Sequence, residues 1–452
     1  MSAISHWLER YNTRRGELPG AGVPWLDALR EQAIIRFADE GWPTSRLENW
    51  RHTSLALLEE RTFAPAAAAA EPAAVLRRLR DADANAGGRG HWLVFVDGRH
   101  APALSGIGPL PAGAEIRALS EVLAAHPERV EGHFGAAGDG ASPAALNAAL
   151  ATDGAVIRLA RGVALEAPVH LVFIGGVREG ASLLRNLVIA EANAEATIVE
   201  HYVGAAQDGA EDAAPGEADG RLTNAVTRIA AEQDARITHL KLQEEDRHTV
   251  HLAAIDAVQA RGSSFASHSL SFGAQLARND IATRFDGEGC EVLLNGLFHV
   301  DGRRHVDHHT RIDHARPRGT SREFYRGVLD GAGRGVFAGR ILVAPGAVRT
   351  DAMQRADNLL LSPQAEADAR PELEIYADDV KCAHGATVGQ IDEDSLFYLR
   401  TRGLDEAHAR NLLTYAFAAE ALARIGLAPL RQRAQAAIRA RLPGGEPMED
   451  LR

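Results

Sequence analysis

Two side chains in the C-terminal quarter of the sequence are spaced for metal chemistry. Cys382 and His384 stand two apart in residues 371–390, PELEIYADDVKCAHGATVGQ. Leu373, Glu374, Ile375 and Tyr376 read as a strand opened by Pro371, with β-branched and aromatic residues in short alternation. Asp378 and Asp379 break that pattern, and Val380 to His384 resumes it before Gly385. Side chains of an extended segment alternate faces, so Cys382 and His384 project together. A thiol beside an imidazole makes a soft ligand pair. It is two ligands where a closed zinc site takes four, and iron–sulfur clusters are held by about four, mostly thiolates. The other cysteine, Cys290, lies far upstream. Either the pair packs in a core, as free cysteines commonly do, or another subunit supplies the missing ligands.

Other constellations are weaker. In HVDHHTRIDH, alternation puts His305, Asp307, His309, Arg311 and Asp313 on one face and His308, Thr310, Ile312 and His314 on the other. His309 with the two aspartates has the chemistry of a metal or carboxylate site. Arg311 on the same face would neutralise those carboxylates, which favours a polar cross-strand ladder at a sheet edge or subunit interface. Asp378 and Asp379 are adjacent, so in a strand they face opposite ways and make a poor catalytic pair. Lys241 and Lys381 are the only lysines in a chain that otherwise uses arginine. An ammonium is a compact charge whose pKa shifts readily, so each lysine has a reading beyond chance.

The elements that must position these residues divide the 452-residue chain in three. Residues 1–150 read as a mainly helical domain with a linker. A helix opens at Pro24 with Leu26, Leu29, Ala33 and Phe37 on its core face and ends at Gly41. In GWPTSRLENWRHTSL, Trp50 is expected to be a buried anchor. APAAAAAEPAA, residues 64–74, reads as a low-complexity linker. HWLVFVDGRH is a short strand ended by an Asp97-Gly98 turn, and Ser142-Pro143 caps a helix running to Leu150. Residues 151–391 are short β-rich runs such as VHLVFI, NLVIA, ITHLKL and RILVA. Asn193-Ala194 and Asp234-Ala235 each precede a strand, an internal echo interrupted by the acidic insertion of residues 204–220. Many short strands with few hairpin turns fit a parallel β-helix better than a sandwich. Residues 392–452 read as three helices, capped by Asp392 and Asp405, the last spanning 430–442.

Composition narrows the classes. Hydrophobic content of 46% with 24% charged residues is ordinary for a globular protein. A net charge of −12 argues against a general binder of nucleic acid or anionic membranes. Two cysteines give no disulfide framework and suit a reducing cytosol. No run approaches the roughly 20 apolar residues of a membrane helix, and the N-terminus shows no apolar signal region, so a cytoplasmic protein is expected.

YADDVKCAHGATVGQID followed by LFYLRTRGL resembles the C-terminal signature of the SufB/SufD family of iron–sulfur cluster assembly proteins. GWPTSRLENW, RLTNAVTRI, residues 308–343 and TDAMQRADNLLLS are similar to the same family, so the resemblance covers most of the chain. HGATVGQ resembles the SufD branch; the SufB branch carries HEAT, a ligand-competent Glu where this chain has Gly385. The resemblance implies a mainly β fold, with a right-handed parallel β-helix core flanked by N-terminal and C-terminal helical domains. It implies a non-enzymatic scaffold pairing with a SufB-like subunit, or with itself when alone. The C-terminal helices, including Leu396, Phe397, Tyr398 and Arg402, would dock a SufC-like ABC ATPase. This chain has no phosphate-binding GxxxxGK[ST] loop of its own. His384 and Cys382 would contribute iron or cluster ligands shared with the partner, with no cofactor expected in the isolated chain. The rival reading of the fold is a carbohydrate-active β-helix enzyme. Such an enzyme needs paired or metal-bound carboxylates in a groove.

Overall fold

The computed structural model describes residues 3–63, 72–85, 88–176, 180–204 and 220–442. Its helices are α1 (Ala3–Arg14), α2 (Pro24–Glu40), α3 (Pro72–Asn85), α4 (Leu119–Ala125), α5 (Glu131–Phe134) and α6 (Ser142–Leu150), then α7 (Glu393–Thr401), α8 (Glu406–Leu422) and α9 (Ala428–Arg439). The first strands are β1 (His91–Val96), β2 (Arg99–His100), β3 (Ala114–Ala118), β4 (Ala155–Leu159), β5 (Val169–Gly175) and β6 (Ala181–Ala190). There follow β7 (Glu195–Gly204), β8 (Arg221–Ala231), β9 (Arg236–Glu244), β10 (Thr249–Gln259), β11 (Ser264–Ser271), β12 (Leu276–Phe285) and β13 (Glu291–Val300). The last are β14 (His305–His314), β15 (Thr320–Leu329), β16 (Arg334–Val343), β17 (Thr350–Leu360), β18 (Glu366–Ile375) and β19 (Val380–Gly389).

From β5 onward, odd-numbered strands stack in one sheet and even-numbered strands in the other. Neighbours within each sheet run parallel, as in β13 with β15 and β14 with β16. Each coil therefore gives one strand to each sheet, and the chain forms the expected parallel β-helix. Its corners explain the echo in the sequence. Asn193, Asp234, Gly262, Gly289, Arg318 and Arg349 all take positive φ, between 57° and 71°. The first five each donate their backbone N–H to the carbonyl just before the next corner, for example Asn193 to Gln233 at 2.9 Å and Arg318 to Val348 at 2.9 Å. Asn, Asp and Gly suit this left-handed geometry, which is why Asn193-Ala194 and Asp234-Ala235 look alike.

Both outer faces are covered. Trp7, Phe37, Trp50 and Leu146 pack with Leu183, Leu222, Leu252 and Leu276 of the even sheet. Leu422, Ile425, Leu430 and Ile438 pack with Leu240, Leu242, Leu270 and Leu297 of the odd sheet. Strands buried on both faces lose the clean polar alternation of a half-exposed sheet, which is why VHLVFI and NLVIA read as nearly continuous apolar runs.

Several boundaries differ from the sequence reading. The sheets do not begin at residue 151: β1 pairs parallel with β5, and β3 pairs antiparallel with β4. The linker expected over residues 64–74 has its last three residues in the first turn of α3, and residues 64–71 lie outside the described residues. So do residues 205–219 of the acidic insertion. The last helix runs from Ala428 to Arg439 rather than from 430 to 442. Ser142 does not cap α6; its hydroxyl donates to the Gly41 carbonyl at 2.6 Å and ties α6 to the end of α2. Asp392 and Asp405 do cap their helices, accepting from the backbone N–H of Ser395 and His408, each at 2.9 Å. Pro371 lies inside β18 rather than at its start. The strand tolerates it because β18 is the outermost strand of its sheet.

Candidate functional site

Cys382 and His384 lie on β19, the last strand of the odd sheet. In register, Cys382 stands beside Ala352 and His384 beside Gln354, both interior positions of β17. The two side chains therefore share the face that continues the solenoid interior, as the alternation predicts. No further coil covers them. Cys382 is half-buried against the core, while His384 is exposed. Burial raises the Cys382 thiol above its ordinary pKa, with Asp351 adding to the rise and the Ala352 backbone opposing it. Cys382 thus carries its proton at neutral pH unless a metal displaces it.

Cys290 cannot complete the site within one chain. It is fully buried at the entry to β13, three strands from β19 in the same sheet and so about 14 Å away at ordinary strand spacing. Its thiol donates to the Ala260 and Gly287 carbonyls at 3.1 and 3.2 Å. Among the described residues no group of three or more His, Cys, Asp or Glu gathers to hold a metal. At Gly385 an added Cβ would meet no atom within 4 Å, so nothing steric requires glycine beside His384.

Behind His384 runs a column of polar interior residues that the sequence reading missed. Glu323 of β15 is in register with Gln354 of β17, which is in register with His384. Gln354 donates to the Glu323 carboxyl at 2.5 Å. Gln354 is 1% exposed and its Oε1 has no partner among the described residues. Burial raises Glu323 to about 7, against smaller opposing hydrogen bonds. The signal in the sequence was the coil register, which aligns the three positions once the corners are located.

Lys241 lies deeper in the same interior. It is 1% exposed, donates to Asn279, and sits 5.2 Å over the Tyr202 ring. Burial lowers its pKa to about 8, while Glu200 and Glu245 oppose that fall. Burial would also raise Glu200, but His239, Thr227 and Lys241 outweigh it and hold that carboxylate at about 2. The ammonium thus neutralises a buried acidic pocket within the solenoid. Lys381, by contrast, is exposed on β19.

The remaining candidates fall elsewhere. The His305–His314 ladder exists, but β14 lies inside its sheet between β12 and β16, not at an edge. Asp307 is buried beneath the N-terminal segment, paired with Arg278 at 2.7 Å, and the Arg278 guanidinium stacks 3.6 Å over the Trp50 ring. That ladder anchors the N-terminal region, and Trp50 is the expected buried anchor. Asp378 and Asp379 occupy the bend before β19 rather than a strand, with Asp379 3.8 Å from Arg349. On α7, Phe397 is 69% and Tyr398 55% exposed, and the Arg402 guanidinium donates to the Tyr398 hydroxyl at 3.0 Å. Leu396 is 3% exposed, so its side chain helps hold the helix in place. Among the described residues no helix is long and apolar enough to cross a membrane.

A parallel β-solenoid flanked by helices, with a thiol–imidazole pair on its open last strand, defines the structural class. A family profile described as SUF system FeS cluster assembly, SufBD core domain, matches residues 173–417, and one described as SufBD protein N-terminal region matches residues 1–171. The chain is 33% identical over 420 residues to the iron-sulfur cluster assembly protein SufD of Escherichia coli, covering 92% of this chain and 93% of that one. It is 31% identical over 428 residues to an iron-sulfur cluster assembly SufBD family protein of Synechocystis sp., covering 90% and 93%. To the chloroplastic protein ABCI7 of Arabidopsis thaliana it is 27% identical over 426 residues, covering 92% and 86%. The chain belongs to the SufBD family of the iron–sulfur cluster assembly system.

Proposed function

We propose that this chain is a SufD-type scaffold subunit that performs no catalysis itself and pairs through the open end of its solenoid with a SufB-like chain, or with a second copy of itself. The observation that carries the reading is the state of that end. β18 and β19 each have a strand neighbour on one side only, and β19 displays His384 and Cys382 there. Unpaired strand edges are templates for pairing with another chain. Ile375, Tyr376 and Val388 are 41%, 62% and 49% exposed around the same end, which suits an apolar partner surface.

In this reading the cargo is iron or a nascent iron–sulfur cluster held between the two subunits. His384, whose imidazole is exposed at this end, is the ligand this chain contributes first. Cys382 is a second donor once metal displaces its proton, or a group that passes sulfur. The partner supplies the remaining ligands. A SufC-like ABC ATPase docks on α7 and α8 through Phe397, Tyr398 and Arg402, and brings the ATP chemistry.

The test is co-expression with a SufB-type chain and a SufC-type ATPase, followed by purification through this chain. The reading expects both partners to co-purify and the complex to accept iron and sulfide under anaerobic conditions. A chain that stays monomeric beside both partners would refute it.

A further inference from the structure

A cavity of about 420 Å³ opens far from β19, between α1, the β2 hairpin and α4. Arg10, Arg14 and Arg99 all line it, with Leu18, Pro19 and Leu150 as apolar lining. Its size lies within the usual range of small-molecule sites, roughly 300–1,000 Å³.

The charges in this cavity are unevenly matched. Glu17 is held by Arg14 at 3.0 Å. Glu121 is 3.3 Å from both His100 and Arg117. Asp153 accepts from the backbone N–H of His100, Ser120 and Gly154 and from the Ser120 hydroxyl, between 2.9 and 3.1 Å. Those carboxylates are committed. Arg10 donates to the Phe63 carbonyl at 3.3 Å and lies 5.1 Å from the Trp7 ring centre, and neither contact cancels its charge. Among the described residues, neither Arg10 nor Arg99 has a carboxylate in ion-pair reach. Burial, then the charges of Arg14 and Arg99, push Arg10 down to about 10. Like charges gathered at a partly buried cavity are costly until an anion joins them. Guanidinium groups suit phosphate and carboxylate oxygens because their donors form a planar fork.

We propose that this cavity is a binding site for a small oxyanion-bearing molecule, whose phosphate or carboxylate groups are held by Arg10 and Arg99 and whose apolar part rests on Leu18, Pro19 and Leu150. The site is independent of the β19 end and of the scaffold reading.

Calorimetric titration of the full chain at low salt tests it, with pyrophosphate in one arm and citrate in the other. The expected result is saturable binding of at least one probe, one per chain, with the stronger arm naming the head group. Arg99→Gln and Arg10→Gln should each weaken it by about tenfold or more. Arg284→Gln, a distant exposed residue paired with Asp286, should leave it unchanged. Arg99 makes no partner contact among the described residues, so R99Q removes a charge without removing a fold contact. Absence of saturable binding in both arms, or equal affinity in wild type and R99Q, would overturn the proposal.

Discussion

Gln354 stands beside His384 in register across β17 and β19, and it is the last side chain of that column which water does not reach. One strand further on, the same interior face is exposed. His384 can therefore be removed without opening the core, whereas Cys382 still packs against it. His384→Ala should leave the melting temperature within experimental error and sharply reduce the iron and sulfide retained by the anaerobically reconstituted complex. Cys382→Ala should cost about 1 kcal/mol of stability from lost packing and reduce loading less. Full loading of the His384→Ala complex would remove the imidazole from the ligand set.

The open edge makes a separate prediction. Val388→Lys and Tyr376→Lys place charges where strand pairing with another chain needs an apolar, uncharged approach. Each substituted chain should remain folded by circular dichroism, because both positions are solvent-exposed. Association with a SufB-type chain, or self-association, should weaken by about tenfold or more in analytical ultracentrifugation, a change of about 1.4 kcal/mol.

The solenoid was legible because its corners need left-handed residues and its first strands are buried on both faces. Asn193 and Asp234 carry that signal openly; Arg318 and Arg349 occupy equivalent corners with residues that do not announce them. The Cys382–His384 alternation survived because a strand's period of two is local. What was hidden is non-local. The polar run of β14 reads as an edge because nothing in HVDHHTRIDH reveals that Trp50 and Arg278, distant in sequence, cover Asp307. Glu323 and Gln354 become neighbours of His384 only through coil register. HWLVFVDGRH was legible as a strand, but nothing local in the sequence shows that β1 and β3, which lie among helices, join the first coil.

The C-terminal helices bear on how docking can be tested. Truncation after Gly403 looks from sequence like a clean removal of a helical appendage. In the structure α8 and α9 cover Leu240, Leu242, Leu270 and Leu297, and full burial of such side chains is worth about 1.5–3 kcal/mol each. Truncation should therefore produce an aggregating or strongly destabilised chain, seen as loss of a cooperative thermal transition. Phe397→Ala combined with Tyr398→Ala removes exposed side chains instead. That variant should keep its thermal transition and lose ATPase-subunit binding in a pull-down.

Glu323 gives the interior a pH signature of definite sign. Its carboxyl is fully buried and raised to about 7, mainly by burial. An acid whose folded pKa lies above its unfolded value binds more protons in the folded state, so stability falls as pH rises from about 4.5 through 7. The size of that loss is about 3 kcal/mol once the pH exceeds both values. Buried histidines in the same interior act in the opposite direction: burial and Lys241 push His308 down to about 3, so their contribution is lost as pH falls below about 6.5. Glutamine has the shape of the protonated acid and no charge to bury. Glu323→Gln should be near neutral at pH 4.5 and stabilising by about 3 kcal/mol at pH 8 in denaturant unfolding. The acid-side loss from the histidines should be unchanged in the same variant. A wild-type stability that is flat between pH 4.5 and 8 after correction for that acid-side loss, or an E323Q effect equal at both pH values, would place the Glu323 carboxyl in contact with water.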